Sequence, residues 1–433
     1  KGFVTTFNYS KGIQDSAVRA EVCDIIEVNT YHSHPSTGLV NKNTYVPQKS
    51  AVVNDVPHFR MAAGCRQAGR PLLITEQNHC FWNRYLYENG IAFSSYSALQ
   101  NFSGIMVHCI PVSMNFPVER RSEDGKLHLS KLQPFTVTQN PLFRANEFMA
   151  ACLYLRGDVR PSPHRIDLSI SNKYLLQTGK NVAPNTEQVK LALLCGFALD
   201  FPDVKRIPAL SKMTPASMTI YPAAGASIRT EEWFTEIYDN KTGGFRLDQM
   251  VERLKRKGIL PQDNKTDSDA GIFHSDTGEI LLHSKAGMMS VTTPKSEGAN
   301  LFAGNTCTLS VLDIKSTDRD AAVFVTSMDK NDLSKSSKVV LIYSTEEMNT
   351  GMKLSPDRTT CLEPGRHPCL LLTGKLEVEL ALKPAKWSLY ALSVNGIRRE
   401  NLPLSYKDGK IRIALDTAGL KNGVTPFFEL AAE

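Results

Sequence analysis

The period of apolar and polar positions changes along the chain. In the first 110 residues, short apolar runs alternate with stretches of helical spacing. Residues 3–8 are β-branched and aromatic, 13–20 have the spacing of a short helix, and 24–31 carry a second strand pattern. Residues 58–68 predict an amphipathic helix, Leu72-Leu73-Ile74 a strand buried on both faces, 85–102 a longer helix, and 104–111 a fourth strand. Strands and helices alternating over short connections predict parallel βα units.

Residues 112–138 are polar and predict a loop. An amphipathic helix over 140–156 ends at Gly157, a residue suited to a C-cap. A half-buried strand is expected over 165–171, a helix over 187–201, a loop over 208–225 and a basic amphipathic helix over 247–257 whose charges form a solvated face. A polar linker spans 262–269. Short strands with turn signals then recur at 278–283, 288–293, 309–313, 321–327, 338–344, 376–382, 388–395, 410–414 and 427–430, the spacing of an antiparallel sandwich. The chain divides into an α/β region over 1–160, a connecting region over 161–270 and a β-sandwich over 271–433.

Composition narrows the function classes. The 433 residues suffice for two or three domains with a large core. The net charge of +6 is small for this length, and clusters such as Arg120-Arg121 and Lys255-Arg256-Lys257 are local. No basic stripe for nucleic acid and no membrane-binding basic helix is present. No apolar run reaches the roughly 18 residues of a transmembrane span. Lys1 to Phe7 has no leader-like pattern and opens in a strand, as expected of a fragment or a mature product. The nine cysteines include no C-x-x-C pair, which argues against a dense disulfide scaffold and a structural zinc site. Cys109 and Cys195 sit among apolar residues and are expected as buried thiols. Cys361 and Cys369 flank Pro364-Gly365-Arg366, and their pairing across that turn stays open.

The chemistry concentrates around Glu76. The run Leu72-Leu73-Ile74 stops at this carboxylate, and Asn78, His79, Trp82, Asn83, Arg84 and Tyr85 follow closely. Together they supply donors, a cation and aromatic faces, the groups that sugar hydroxyls and rings require. In a parallel barrel such groups line the site from the C-terminal ends of strands. The bland alternative is a solvated loop carboxylate or a helix cap. A second cluster, Tyr31-His32-Ser33-His34-Pro35, ends the strand over 24–31. His32 and His34, one residue apart, would share a face as metal ligands if both lay in a strand; the alternative is a hydrogen-bonded pair lining a cleft.

The stretch Pro71-Leu72-Leu73-Ile74-Thr75-Glu76, with Asn78 and the aromatic helix after it, resembles the seventh strand of clan GH-A retaining glycoside hydrolases of the family 5 type. Asn29-Thr30-Tyr31-His32-Ser33-His34-Pro35 is similar to the sixth-strand motif of that clan, with Asn29 in place of the usual His. Gln100-Asn101-Phe102-Ser103-Gly104-Ile105 is similar to the Q-D-W-D-G-I before the eighth strand, departing from it at Asn101 and Ser103; His108 stands near the place of the usual tryptophan. The resemblance implies a (β/α)8 TIM barrel, of which this chain carries strands five to eight, followed by a sandwich. It implies a glycosidase cleaving a β-linked poly- or oligosaccharide, with Glu76 as nucleophile. Tyr31 would orient Glu76, Asn78 and His79 would hold hydroxyls, Trp82 would stack a sugar ring, and His32, His34 and His108 would line the cleft. No cofactor is expected. The clan's acid/base Glu, preceded by Asn at the end of strand four, has no match here, so an N-terminal half-barrel fragment or a longer parent chain is expected as partner. The substrate class implies a secreted or periplasmic protein. Two rivals stand beside this reading: a non-catalytic carbohydrate-binding or scaffold protein of the same fold, and a metal-dependent hydrolase using His32, His34 and His79.

Overall fold

A computed structural model of the chain describes residues 2–5, 12–108, 131–137, 140–178, 187–204, 214–221, 226–231, 234–239 and 245–433. Cys109 and most of the expected loop over 112–138 lie outside the described residues.

Three of the four expected N-terminal strands form one parallel sheet in the order β1 (Ile26–His32), β2 (Leu72–His79), β3 (Gly104–Val107). The Phe3 segment is not a regular strand over residues 2–5, although Val4 O accepts hydrogen bonds from Asp24 N at 2.8 Å and Ile25 N at 3.3 Å. Helix α1 (Ile13–Val22) precedes β1, α2 (Pro57–Ala63) precedes β2 and α3 (Asn89–Leu99) precedes β3. Leu72 and Ile74 pack in one core with Phe59 of α2 and with Ile91, Phe93 and Tyr96 of α3. The apolar run in β2 therefore buries against its helices as the sequence pattern requires.

Helix α4 (Pro141–Ala150) starts on Asn140, whose Oδ1 accepts from Phe143 N at 2.7 Å. A π-helical turn, Ala151–Leu155, continues it, and Gly157 closes it at φ 76°, where a side chain is disfavoured.

The connecting region departs from expectation. Glu187–Leu193 is a short 3₁₀ helix, not the start of a long α-helix, and Gly196–Asp200 is a strand, β5. It pairs in parallel with β4 (Arg165–Ser169), and β6 (Met218–Ile220), inside the expected loop, pairs in parallel on the other side. Phe197-Ala198-Leu199 is a buried apolar run, and a run this short carries the same pattern in a strand as in a helix. The basic helix, α6 after α5 (Asn172–Thr178), spans Leu247–Arg256.

The C-terminal region holds a nine-stranded antiparallel sheet and a five-stranded one. Val323, Val325, Val339 and Leu341 of the larger sheet share a core with Ile314, Val378 and Ile413 of the smaller, the arrangement of a β-sandwich. The intervening Ala322, Phe324, Val340 and Ile342 point the other way, into the core beneath α3. Strands Ala321–Ser327 and Lys338–Ser344 are thus covered on both faces, which explains their unbroken apolar runs. Arg156 ties the two regions together, pairing with Asp158 at 2.5 Å and donating to Ser327 O at 2.8 Å and Thr326 Oγ1 at 2.6 Å. All eight described cysteines, Cys361 and Cys369 among them, are free thiols. No described helix is long and apolar enough to cross a membrane.

Candidate functional site

A bulge in β2 sets the direction of Glu76. Val28 of β1 pairs with Ile74 but Asn29 pairs with Glu76, so Thr75 is an extra residue; the β2–β3 register shifts over the same interval. Thr75 Oγ1 donates to Asn29 Oδ1 at 2.8 Å across it. Beyond the bulge, Gln77 and His79 face the helices, while Glu76 and Asn78 lie on the opposite face of the sheet.

Glu76 is held but open, its side chain 35 % exposed. The Tyr31 hydroxyl donates to Glu76 Oε2. Burial, reinforced by the adjacent carboxylate, pushes the Tyr31 phenol far above its usual range. Tyr31 therefore stays protonated and acts as a donor throughout the physiological range. His108, 31 % exposed, places Nδ1 3.7 Å from the same carboxylate oxygen. Asn78 is buried and donates from Nδ2 to His108 O at 2.8 Å, steadying the end of β3.

Aromatic edges surround the carboxylate. Tyr31 packs edge-on against His34 with centroids 5.0 Å apart, against His108 at 5.9 Å and against Phe135 at 5.6 Å. Phe135 also meets His108 at 4.9 Å. Phe135 is a site neighbour that sequence reasoning missed; it lies far downstream in a polar stretch, and no local pattern points to it.

Three of the expected cleft residues are elsewhere. His32 and His79 pair in register on the helix side of the sheet, with centroids 4.5 Å apart and His58 of α2 beside both at 5.2 Å and 6.2 Å. Burial lowers the His32 pKa to about 4 and holds those of His58 and His79 well below the usual value, so all three are neutral at pH 7. His32 Nε2 donates to Lys49 O at 2.8 Å. Strand alternation is the reason: neighbours of cleft-facing Tyr31 and Asn78 must face the opposite way. Trp82 is 1 % exposed and packs with Val46, Met352 and Cys361, its Nε1 donating to Arg358 O at 2.9 Å. Its ring is unavailable for stacking on a sugar.

His34 lies just past the end of β1 and is exposed, so it does not share a face with His32. His32, His34 and His79 do not converge, and no group of three or more His, Cys, Asp or Glu among the described residues is arranged to hold a metal ion.

Gln77 and Asn89 support the site from behind. Gln77 Nε2 donates to Asn89 Oδ1 at 2.9 Å, joining the residue after Glu76 to the first residue of α3. Glu88, just before it, is buried and accepts from Ser50 Oγ at 2.6 Å, Ala51 N at 2.7 Å and Val52 N at 3.1 Å. Burial outweighs these bonds and lifts its pKa to about 7.

Neither a known family model nor a curated protein matches this sequence.

Proposed function

We propose that this chain belongs to a retaining glycoside hydrolase of the clan GH-A type acting on a β-linked poly- or oligosaccharide, with β1, β2 and β3 as part of a (β/α)8 barrel and Glu76 as nucleophile. The observation that supports it is a half-exposed carboxylate at a bulged strand end, oriented by a protonated phenol and bordered by aromatic and imidazole rings. A glycosidase nucleophile needs a fixed, accessible oxygen beside apolar surfaces that take sugar ring faces.

In this reading a Glu76 oxygen attacks the anomeric carbon as the bond to the leaving oxygen breaks. A second carboxyl group protonates the leaving oxygen, then activates the water that hydrolyses the glycosyl ester. Tyr31 holds the Glu76 carboxylate in the attacking orientation, and His108 contributes a polar group at the cleft wall.

Retaining chemistry places the second carboxyl group about 5–5.5 Å from the first. Among the described residues the side-chain partners of Glu76 are Tyr31 and His108. The proposal therefore assigns the acid/base glutamate to an N-terminal half-barrel, in a partner fragment or a longer parent chain. That half would also cover the outer edges of β1 and β3. A polysaccharide substrate goes with a secreted or periplasmic location. That neither partner of Glu76 among the described residues is a carboxylate favours a second reading, a carbohydrate-binding protein without turnover.

The test uses a panel of 2,4-dinitrophenyl 2-deoxy-2-fluoro-β-glycosides. Dinitrophenolate leaves without being protonated, so the nucleophile is tested independently of its acid partner. Mass spectrometry should find one fluoroglycosyl ester, on the peptide containing Glu76, absent from Glu76→Gln. If no sugar of the panel labels the chain, alone or assembled with its N-terminal half, the nucleophile assignment fails. Glycan binding without labelling would favour the second reading.

A further inference from the structure

At the opposite end of the α/β region from Glu76, where β4 and β5 begin, lies a cavity of about 280 Å³. Arg66, Asn101, His164, Arg165, Gly196 and Ser217 line it. We infer that this cavity binds a small oxyanion, a phosphate or carboxylate group, with Arg66 as the cation that meets it.

Arg66 follows α2 and is partly buried. Its Nη1 donates to Gln100 Oε1 at 3.2 Å and Phe197 O at 3.1 Å. Gln100 is itself fully buried, donating from Nε2 to Ala192 O at 2.8 Å and Cys195 O at 2.6 Å, while its Oε1 accepts from Phe197 N at 2.9 Å. Two acceptors thus hold Nη1 in place while the residue stays partly exposed. Among the described residues no carboxylate is within ion-pair distance of it, and its Nε and Nη2 have no protein partner. Burial, and then the neighbouring Arg165, lower its pKa to about 10, which leaves it charged at neutral pH. A partly desolvated guanidinium without a counter-ion, with Nε and Nη2 open to the cavity, favours a bound anion.

The nearby carboxylates are already committed. Asp167 takes Arg165 in a two-point pair, Nε at 2.7 Å and Nη2 at 2.9 Å. Asp276 accepts from Ser162 Oγ at 2.6 Å and from His164 Nδ1 at 3.1 Å. Ser162 thus donates to the carboxylate and not to the imidazole, so these three residues are not a nucleophile–base relay. They orient His164 instead, leaving its Nε2 without a protein partner at the cavity wall. Gly196 fixes that wall: a Cβ there would lie 2.5 Å from His164 O, so β5 can approach only as glycine. The result is a rigid recess with one unmatched cation and further polar groups.

The experiment is isothermal titration calorimetry of the whole chain at neutral pH and constant ionic strength, with inorganic phosphate in one arm, acetate in another and sodium chloride as control. Saturable binding of one equivalent is expected, of phosphate alone if the group recognised is a phosphate and of acetate alone if it is a carboxylate. Arg66→Gln should weaken it at least tenfold. Asn101→Asp is the second variant: Asn101 is exposed at the mouth at φ 51°, a conformation Asp tolerates, and the added negative charge should weaken binding several-fold. No saturable heat beyond chloride in either arm overturns the inference, as does unchanged affinity in a folded variant.

Discussion

Gly90 lets α3 and α4 cross, and replacing it with Ala tests how tightly they pack. An added Cβ would lie 2.6 Å from Met149 Cε and 2.8 Å from Asn146 Cα. The Met149 methyl can swing aside, but Asn146 Cα is helix backbone and moves only with α4. It falls about 0.6 Å short of the 3.4 Å at which ordinary contact begins. Separating the helices also stretches the bond from Gly90 N to Asn146 Oδ1, now 3.1 Å. In an open helix, Gly→Ala stabilises by about 1 kcal/mol. Here over-packing costs about 1–3 kcal/mol, and the weakened hydrogen bond costs up to about 1 kcal/mol more. The net expectation is a loss of up to about 3 kcal/mol in urea unfolding followed by circular dichroism. Asn89, next in sequence, holds Gln77, so fluoroglycoside labelling of Glu76 should slow as well. A Gly90→Ala variant about 1 kcal/mol more stable than the parent, the gain of an open helix, would refute the close crossing.

Three further outcomes are expected. Tyr31→Phe removes a hydrogen bond to a charged group, worth about 1.5–3 kcal/mol, and should slow labelling of Glu76 by roughly tenfold to a hundredfold with the fold retained; an unchanged rate would remove Tyr31 from its orienting role. Trp82→Phe should lower stability by about 1–3 kcal/mol through the lost indole bond and the void, with glycan affinity unchanged; lost affinity at unchanged stability would return Trp82 to the cleft. Glu88 holds its proton more tightly when folded, so the stability it contributes is full below about pH 4.5 and is lost as pH rises through about 7. Relative to the parent, Glu88→Gln should gain about 2 kcal/mol between pH 5.5 and 7.5 in urea titrations, and a difference independent of pH would contradict the buried placement of this carboxyl group.

Much of the α/β region was legible because its strands are bounded apolar runs, and β2 stood out because its run ends at a carboxylate. Strand alternation also contained the separation of Tyr31 from His32 and of Asn78 from His79; grouping all four by proximity in sequence overrode it. Trp82 was different, since Arg358, Met352 and Cys361, which bury it, lie far along the chain and leave no local mark. In the sandwich, Ala321–Ser327 and Lys338–Ser344 carried their bounds in their apolar runs. Ser296–Leu301 did not, being polar with a central glycine. It is a strand because its neighbours bury it, Glu297 accepting from Val311 N and Leu312 N at 2.8 Å each.

The extra residue at Thr75 works as a phase switch. Before it, even-numbered positions 72 and 74 serve the core; after it, even-numbered 76 and 78 serve the cleft. The strand carries two codes out of step, so the frame that folds the protein and the frame that presents its carboxylate are set separately. Deleting Thr75 would remove the offset in numbering without moving the faces: Glu76 would follow Ile74 directly, still opposite Asn29 and away from the helices, and the ladder with β1 would run unbroken from Leu72 to His79.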